Sequence, residues 1–537
     1  MSKAAWEALK NHYQSVRGGT LQALFAADPN RYARFSVQVE DFLFDFSKQR
    51  ITPETFEKLC QFAENHHLRD HIDALFSGKR VNLTEQRPAL HMALRDPGLA
   101  PLRVDGLEIK EQIHASLEKM AQFVEGFSSG QRVGATDKRI TDVVSLGIGG
   151  SDLGPKMACF ALEHFRTSEI KLHFIANVDG ATVSRVLKSL NPETTLCIIN
   201  SKTFTTIETL QNAKTLKTWF QHSLGEKSTE QHLIGVTANK SAAMQFGISN
   251  ENIFEFWDFV GGRYSIWSSV GLPIALLIGM PQFREFLAGA YAIDKHFCSA
   301  PFSENIPVLM ALLGIWNINF CGYSTHAIIP YEDGLEYFPD YLQQLEMESN
   351  GKRAAKENGF VEHSTAPIIW GGVGCNNQHA YMQLLHQGTQ VVPVDFLVAA
   401  KAHPQFEEHH QLLLASCLSQ SKALMEGNFS FPENDFARER CLDAKRCFGD
   451  RPSSTLMYTA LTPRVLGALI ALYEHKVFVQ GVLWGINSFD QFGVELGKTL
   501  VKEILAQLEQ STDKNLDSST QGLIEFYRKN KVAVKPT

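Results

Sequence analysis

From about Ile140 onward the chain alternates short apolar runs with helical stretches. Residues 142–146, 171–178, 195–200, 232–237 and 253–256 are apolar over too few positions for a helix. Near-continuous apolar runs suit strands covered on both faces, and the intervening helices supply the crossovers that parallel strands need. Five such strands predict a doubly wound parallel sheet. A second series at 325–329, 367–371, 391–397 and 456–458 follows a helical stretch near 308–320 and predicts a second α/β unit. Residues 1–115 look helical, with no strand alternation. Thr462-Pro463 reads as a helix start, with a hydroxyl cap and proline at the first position. The last helical pattern covers 491–508. Residues 510–537 form a polar arm with a short helix at 522–529.

Bulk properties narrow the class. The 537 residues carry a net charge of -7, with 44% hydrophobic and 20% charged residues. That is ordinary for a globular enzyme. There is no basic excess or basic patch, so neither nucleic acid nor an anionic membrane is an expected partner. The nine cysteines, Cys441 and Cys447 among them, form no C-x-x-C pair, and several sit in apolar runs. This suggests free thiols in a reducing compartment. Met1 to Glu7 has no signal-type apolar core. The long apolar stretches near 272–280 and 308–315 are too short to cross a bilayer. The expected location is the cytoplasm.

Two strand-to-helix junctions carry phosphate-type chemistry. Ser201-Lys202-Thr203-Phe204-Thr205-Thr206 lies between the apolar run 195–200 and a helical pattern beginning at Ile207. Free N–H groups and the dipole at a helix start favour an anion, and hydroxyls and an ammonium add donors. A Ser/Thr-rich cap with no ligand is the simpler alternative. The second junction is Gly147-Ile148-Gly149-Gly150-Ser151-Asp152-Leu153-Gly154-Pro155, running into a helix from about Lys156. Asp152 stands where a dinucleotide fingerprint needs its third glycine. Together the junctions favour one small phosphorylated substrate.

Other segments offer acid–base groups. Glu348 precedes Asn350-Gly351, a strong helix stop. A carboxylate in a last helical turn faces the negative end of the dipole, which suits a group that takes up a proton. The pattern makes Asn377 an N-cap and puts His379 in the first turn of a helix, a position that favours a neutral imidazole. His386, seven residues on, shares its face. Gln491 and Lys498 are likewise seven apart and fall on one helical face. The stretch before Lys498-Thr499 mimics a P-loop, but Phe492 replaces the first glycine. Arg263 follows Gly261-Gly262, which lets the backbone present the guanidinium. Its partner is Asp258 or a developing oxyanion. Glu407-Glu408-His409-His410 and the 66–71 segment hold metal-ligand types without metal-site spacing.

These motifs together resemble the glucose-6-phosphate isomerase family, from about Ser145 to Lys498. The most specific pieces are 147–155, 201–206, 260–272, 347–352, 378–388 and 487–498. The resemblance implies two sugar-isomerase-type αβα sandwiches, at 116–290 and 291–509, between a helical region 1–115 and a C-terminal arm 510–537. It implies isomerisation of a phosphorylated hexose through ring opening and a cis-enediol, with no cofactor and no metal. Glu348 would move the proton between C2 and C1, beside Arg263. His379 and Lys498 would open the ring, and Glu208 would support His379. Gly150, Ser151, Ser201, Lys202, Thr203, Thr206 and Gln491 would hold the substrate. A homodimer is implied, with His379 supplied by the neighbouring subunit. A non-catalytic phosphosugar sensor would keep the 201–206 loop and lose the proton-transfer residues, which are all present. A kinase or dehydrogenase would need an intact glycine fingerprint.

Overall fold

Two four-residue strands near the N-terminus, β1 (Ser36–Val39) and β2 (Phe42–Asp45), pair antiparallel. A smaller hairpin follows, β3 (Arg103–Val104) with β4 (Leu107–Glu108). Neither hairpin is part of the sequence reading of this otherwise mainly helical region. The structure, a computed structural model, describes residues 3–98, 100–226, 229–401, 405–427, 443–509 and 516–531. Cys441 and parts of the 510–537 arm lie outside the described residues.

The first apolar series forms β5 (Asp142–Leu146), β6 (Lys171–Ile175), β7 (Thr195–Asn200), β8 (Leu233–Thr237) and β9 (Ile253–Glu255). They make one wholly parallel sheet in the order β6-β5-β7-β8-β9. The second series forms β10 (Thr325–Tyr331), β11 (Ile368–Gly371), β12 (Val394–Ala399) and β13 (Ser453–Tyr458). These four are parallel, and β2 adds antiparallel to β13, giving the order β1-β2-β13-β12-β10-β11.

Alternation along the strands explains how both sheets are covered. Val143, Leu196, Ile198, Ile234 and Val236 face a core that also takes in Ile328, Leu397 and Leu456 of the second sheet. Their neighbours Val144, Leu146, Cys197 and Ile199 face a separate cluster. Ala327, Ile329, Val394 and Phe396 face a third. The shared core is filled by three largely apolar helices, Leu272–Ser299, Ile306–Ile315 and Pro463–Trp484. Ile306–Ile315 has no polar face and must be buried, while Pro463–Trp484 takes Glu474, His475, Lys476 and Gln480 into the core with it. Two of these helical regions, Ser269–Ser299 and Pro463–Trp484, are long and apolar enough to cross a membrane, but they are core helices here, the second buried throughout its most apolar window. Thr462 caps Pro463–Trp484, its hydroxyl accepting from the Val465 N–H.

Met1–Phe489 form one compact unit. Asp490–Thr537 form another. In the second, helix Glu495–Glu509 follows a tight turn at Phe492–Val494, and helix Ser518–Asn530 is capped by Asp517. An Arg528 guanidinium nitrogen donates to the Gln507 carbonyl.

Candidate active site

The site starts at the C-terminal ends of β5 and β7, which the Asn200 amide joins by donating to Ser145 Oγ (3.1 Å). Beyond β5 the chain turns tightly at Gly149–Ser151 and enters helix Leu153–Ala161, three residues earlier than its expected start. Gly149 has φ of +58°, and a Cβ on Gly150 would lie 2.1 Å from the Gly262 carbonyl oxygen. Two backbones therefore touch here, and only glycine permits it. The contact brings Gly150 and Ser151 to Gly262-Arg263.

Beyond β7 the 201–206 loop leads into helix Ile207–Leu224. Thr206 occupies the N-cap position, yet its side chain makes no cap bond to the helix. Its hydroxyl instead accepts from Ser201 Oγ (3.3 Å), and those of Thr203 and Thr205 pair at 2.7 Å. The first-turn N–H groups are thus not taken up by a cap side chain, as an anion site requires. Phe204, buried at φ +53°, pins the loop. Lys202 Nζ donates to the carbonyls of Asp258 (3.1 Å) and Val260 (2.9 Å), which ties the loop to the segment carrying Arg263. Burial lowers the Lys202 pKa from its usual range, with Asp258 opposing the shift.

Arg263 is buried, and its guanidinium donates to three acceptors on other segments. Nη1 donates to Glu348 Oε2 (3.2 Å), Nε to Ser349 Oγ (2.6 Å) and Nη2 to the Ser488 carbonyl (2.6 Å). Its carboxylate neighbour is Glu348, not Asp258, whose side chain lies 3.7 Å from Arg87 and 3.8 Å from Lys202. Glu348 lies two residues before the helix ends at Asn350, as expected. The turn that carries it, Gln343–Glu348, is π-helical. Gln344 Nε2 also donates to Glu348 Oε2 (3.0 Å). Both bonds land on one oxygen, leaving Oε1 for another partner. Gln344 and Ser349 were missed by sequence reasoning. Helical spacing four before Glu348 was the available signal for Gln344.

His379 is placed differently from its expectation. Its helix runs Gly374–Gln378 with Val373 at the N-cap, so His379 is the C-cap residue and the first-turn dipole argument does not apply. Gly374, the first residue of this helix, packs directly on the Tyr331 ring, where a Cβ would come within 2.4 Å. His386 belongs to a separate helix, Met382–Gln387, and bonds Gln420 (2.8 Å), so the two histidines do not share a face. The His379 side chain is exposed and makes no side-chain hydrogen bond among the described residues. Glu208 stands half-buried in the first turn of Ile207–Leu224.

Gln491 and Lys498 belong to the second unit. Gln491 precedes the tight turn and is not helical, so the shared helical face expected for the pair is not formed. Lys498 pairs with Glu495 at 2.7 Å on an exposed helix surface.

The phosphoglucose isomerase family profile matches residues 45–524. A glucose-6-phosphate isomerase of Methylococcus capsulatus is 48% identical, with 98% of each chain covered. Glucose-6-phosphate isomerase 1 of Chromohalobacter salexigens is 49% identical over 97% of this chain and 94% of that one. The crystal structure of a glucose-6-phosphate isomerase from Chlamydia trachomatis superposes with a TM-score of 0.85 at 32% identity, covering 99% of each chain.

Proposed function

The chain belongs to the phosphoglucose isomerase family, and we infer that it interconverts glucose 6-phosphate and fructose 6-phosphate. The reaction opens the sugar ring, then moves a proton between C2 and C1 through a cis-enediol. It needs a base beside the reacting carbons and a cation near the enediolate oxygen. A carboxylate can serve as such a base.

The observation that carries the residue assignment is the Glu348–Arg263 pair. The hydrogen bonds that Glu348 accepts from Arg263 and Gln344 both land on Oε2, so Oε1 is the oxygen that abstracts and returns the proton. Arg263 holds the carboxylate in place and lies beside the developing oxyanion. Ser201, Lys202, Thr203 and Thr206 bind the phosphate, with Gly150 and Ser151 closing on it from the neighbouring strand end. A partly desolvated ammonium whose pKa burial has lowered gains most from an anionic ligand. His379 and Lys498 act in ring opening, Glu208 supports His379, and Gln491 contacts the sugar.

We further propose a homodimer in which His379 serves the neighbouring subunit. Two observations support it: His379 is exposed with no side-chain hydrogen bond among the described residues, and the helices Glu495–Glu509 and Ser518–Asn530 expose Leu496, Leu523 and Phe526. Exposed apolar rows of this kind mark interaction surfaces. The eight described cysteines are free, which supports a cytoplasmic location.

Glu348→Gln tests the central assignment. Phosphate binding and Tm should be kept while turnover of fructose 6-phosphate, followed by a coupled dehydrogenase assay, falls by at least about 100-fold. Near-parental turnover would sink it.

A further inference from the structure

Glu348 owes its direction to an irregular piece of helix. Within the helical stretch 338–350, Gln343–Glu348 make a π-helical turn. Such a turn holds one residue more than an α-turn, so everything beyond it is rotated by about 100° relative to an uninterrupted α-helix. Without it Glu348 would leave Arg263. Regular α-helix is the more stable conformation, so something outside the segment must hold the π turn.

The contacts that could do so are buried and come from the central helix, Pro463–Trp484. Lys476 Nζ donates to Glu346 Oε2 at 2.7 Å, and both side chains are 1% exposed. Glu346 sits inside the π turn, two residues before Glu348. Two residues after Glu348, the Asn350 amide donates to the Val477 carbonyl (2.9 Å). The stretch is therefore anchored to adjacent residues of one helix on either side of the base.

Stability alone does not account for the ion pair. Glu346 Oε1 is buried with no hydrogen-bond partner among the described residues. A buried pair with an unsatisfied oxygen is a poor stabiliser, and apolar replacements usually do as well or better. Buried ionic groups are instead suited to fixing one arrangement among several. We infer that Lys476 and Glu346 are positioning residues: their ion pair holds the π turn in register and so aims Glu348 at Arg263. This rests on Glu348 being the base.

The test uses the full-length enzyme. In Glu346→Leu/Lys476→Met the pair is apolar and similar in volume, so Tm should match or exceed that of the parent. KM for fructose 6-phosphate should stay within about twofold, while kcat falls about 10- to 100-fold, as for a misplaced catalytic group. A crystal structure of the variant should show the Arg263–Glu348 contact lengthened from 3.2 Å. A folded double variant with parental kcat would overturn the inference, because a purely structural pair predicts that result. Should the double variant not fold, Glu346→Asp decides. It keeps the charge but shortens the reach by one methylene, and it should show the same loss in kcat at constant KM. Parental kcat there overturns the inference as well. Glu348→Gln, measured alongside, separates the two claims. If it keeps turnover, the base assignment fails. If it loses turnover while both pair variants keep it, only the positioning role falls.

Discussion

Asp152 stands between the Gly149–Ser151 turn and helix Leu153–Ala161, 6% exposed, with Oδ1 lacking a hydrogen-bond partner among the described residues. Burial pushes its carboxyl up to about 6, with Lys156 opposing. A raised carboxyl pKa means that the fold favours the protonated form. That contribution is fully present below about pH 4 and is lost as pH rises through about 6. Above that, the ionised side chain costs on the order of 2–3 kcal/mol. Asp152→Asn should therefore unfold with the parent below pH 4 and at a higher temperature than the parent at pH 8. Thermal melts at pH 4, 6 and 8 measure this, and a pH-independent gap would contradict it. At this scale the sequence was informative where chemistry and backbone signals coincide, as at Glu348 before Asn350-Gly351 or in the 201–206 hydroxyl cluster. Asp152 was noticed only for breaking a fingerprint. Its burial arises from elements that pack on the turn from elsewhere in the chain.

Two apolar helices, Leu272–Ser299 and Pro463–Trp484, cross at reciprocal glycines. A Cβ on Gly289 would lie 1.8 Å from the Arg464 carbonyl oxygen, and one on Gly467 would lie 1.9 Å from that of Phe286. The opposing atoms are backbone, so no rotamer change relieves them. Gly467→Ala should gain about 1 kcal/mol of helix propensity and still lose about 2 kcal/mol net, because the helices must separate. Denaturant unfolding would register the loss as a lowered midpoint, and a raised midpoint would refute the close crossing. The apolar character of the first of these helices was readable, since its stretch near 272–280 stands out. The β1–β2 hairpin was not. Its strands have four residues each, and β2 joins the sheet because β13 offers unpaired backbone groups.

The proposed shared site makes a prediction for the whole molecule. Glu348→Gln and His379→Ala dimers should each be inactive. If His379 serves the neighbour's Glu348, a heterodimer has one site with both lesions and one with neither. Mixing the two proteins and allowing subunit exchange should restore activity towards about half the parental value per heterodimer, by the geometry of a two-fold axis. If the site lies within one chain, every heterodimer site carries a lesion. No recovery, with exchange confirmed by mass spectrometry, would then exclude sharing.

The sequence by itself determined the α/β class, both strand series and the strand-to-helix junctions that bear hydroxyls and glycines. These are local properties: a residue's period and its neighbours report burial and chain direction. Only the tertiary structure decided which junctions meet. Arg263 and Glu348 are 85 positions apart, and Glu346 and Lys476 are 130 apart. The contact of Gly150 with Gly262, the π turn beneath Glu348 and the C-cap position of His379 follow from how distant segments pack. Local spacing carries no record of them, because each depends on a surface that another part of the chain supplies.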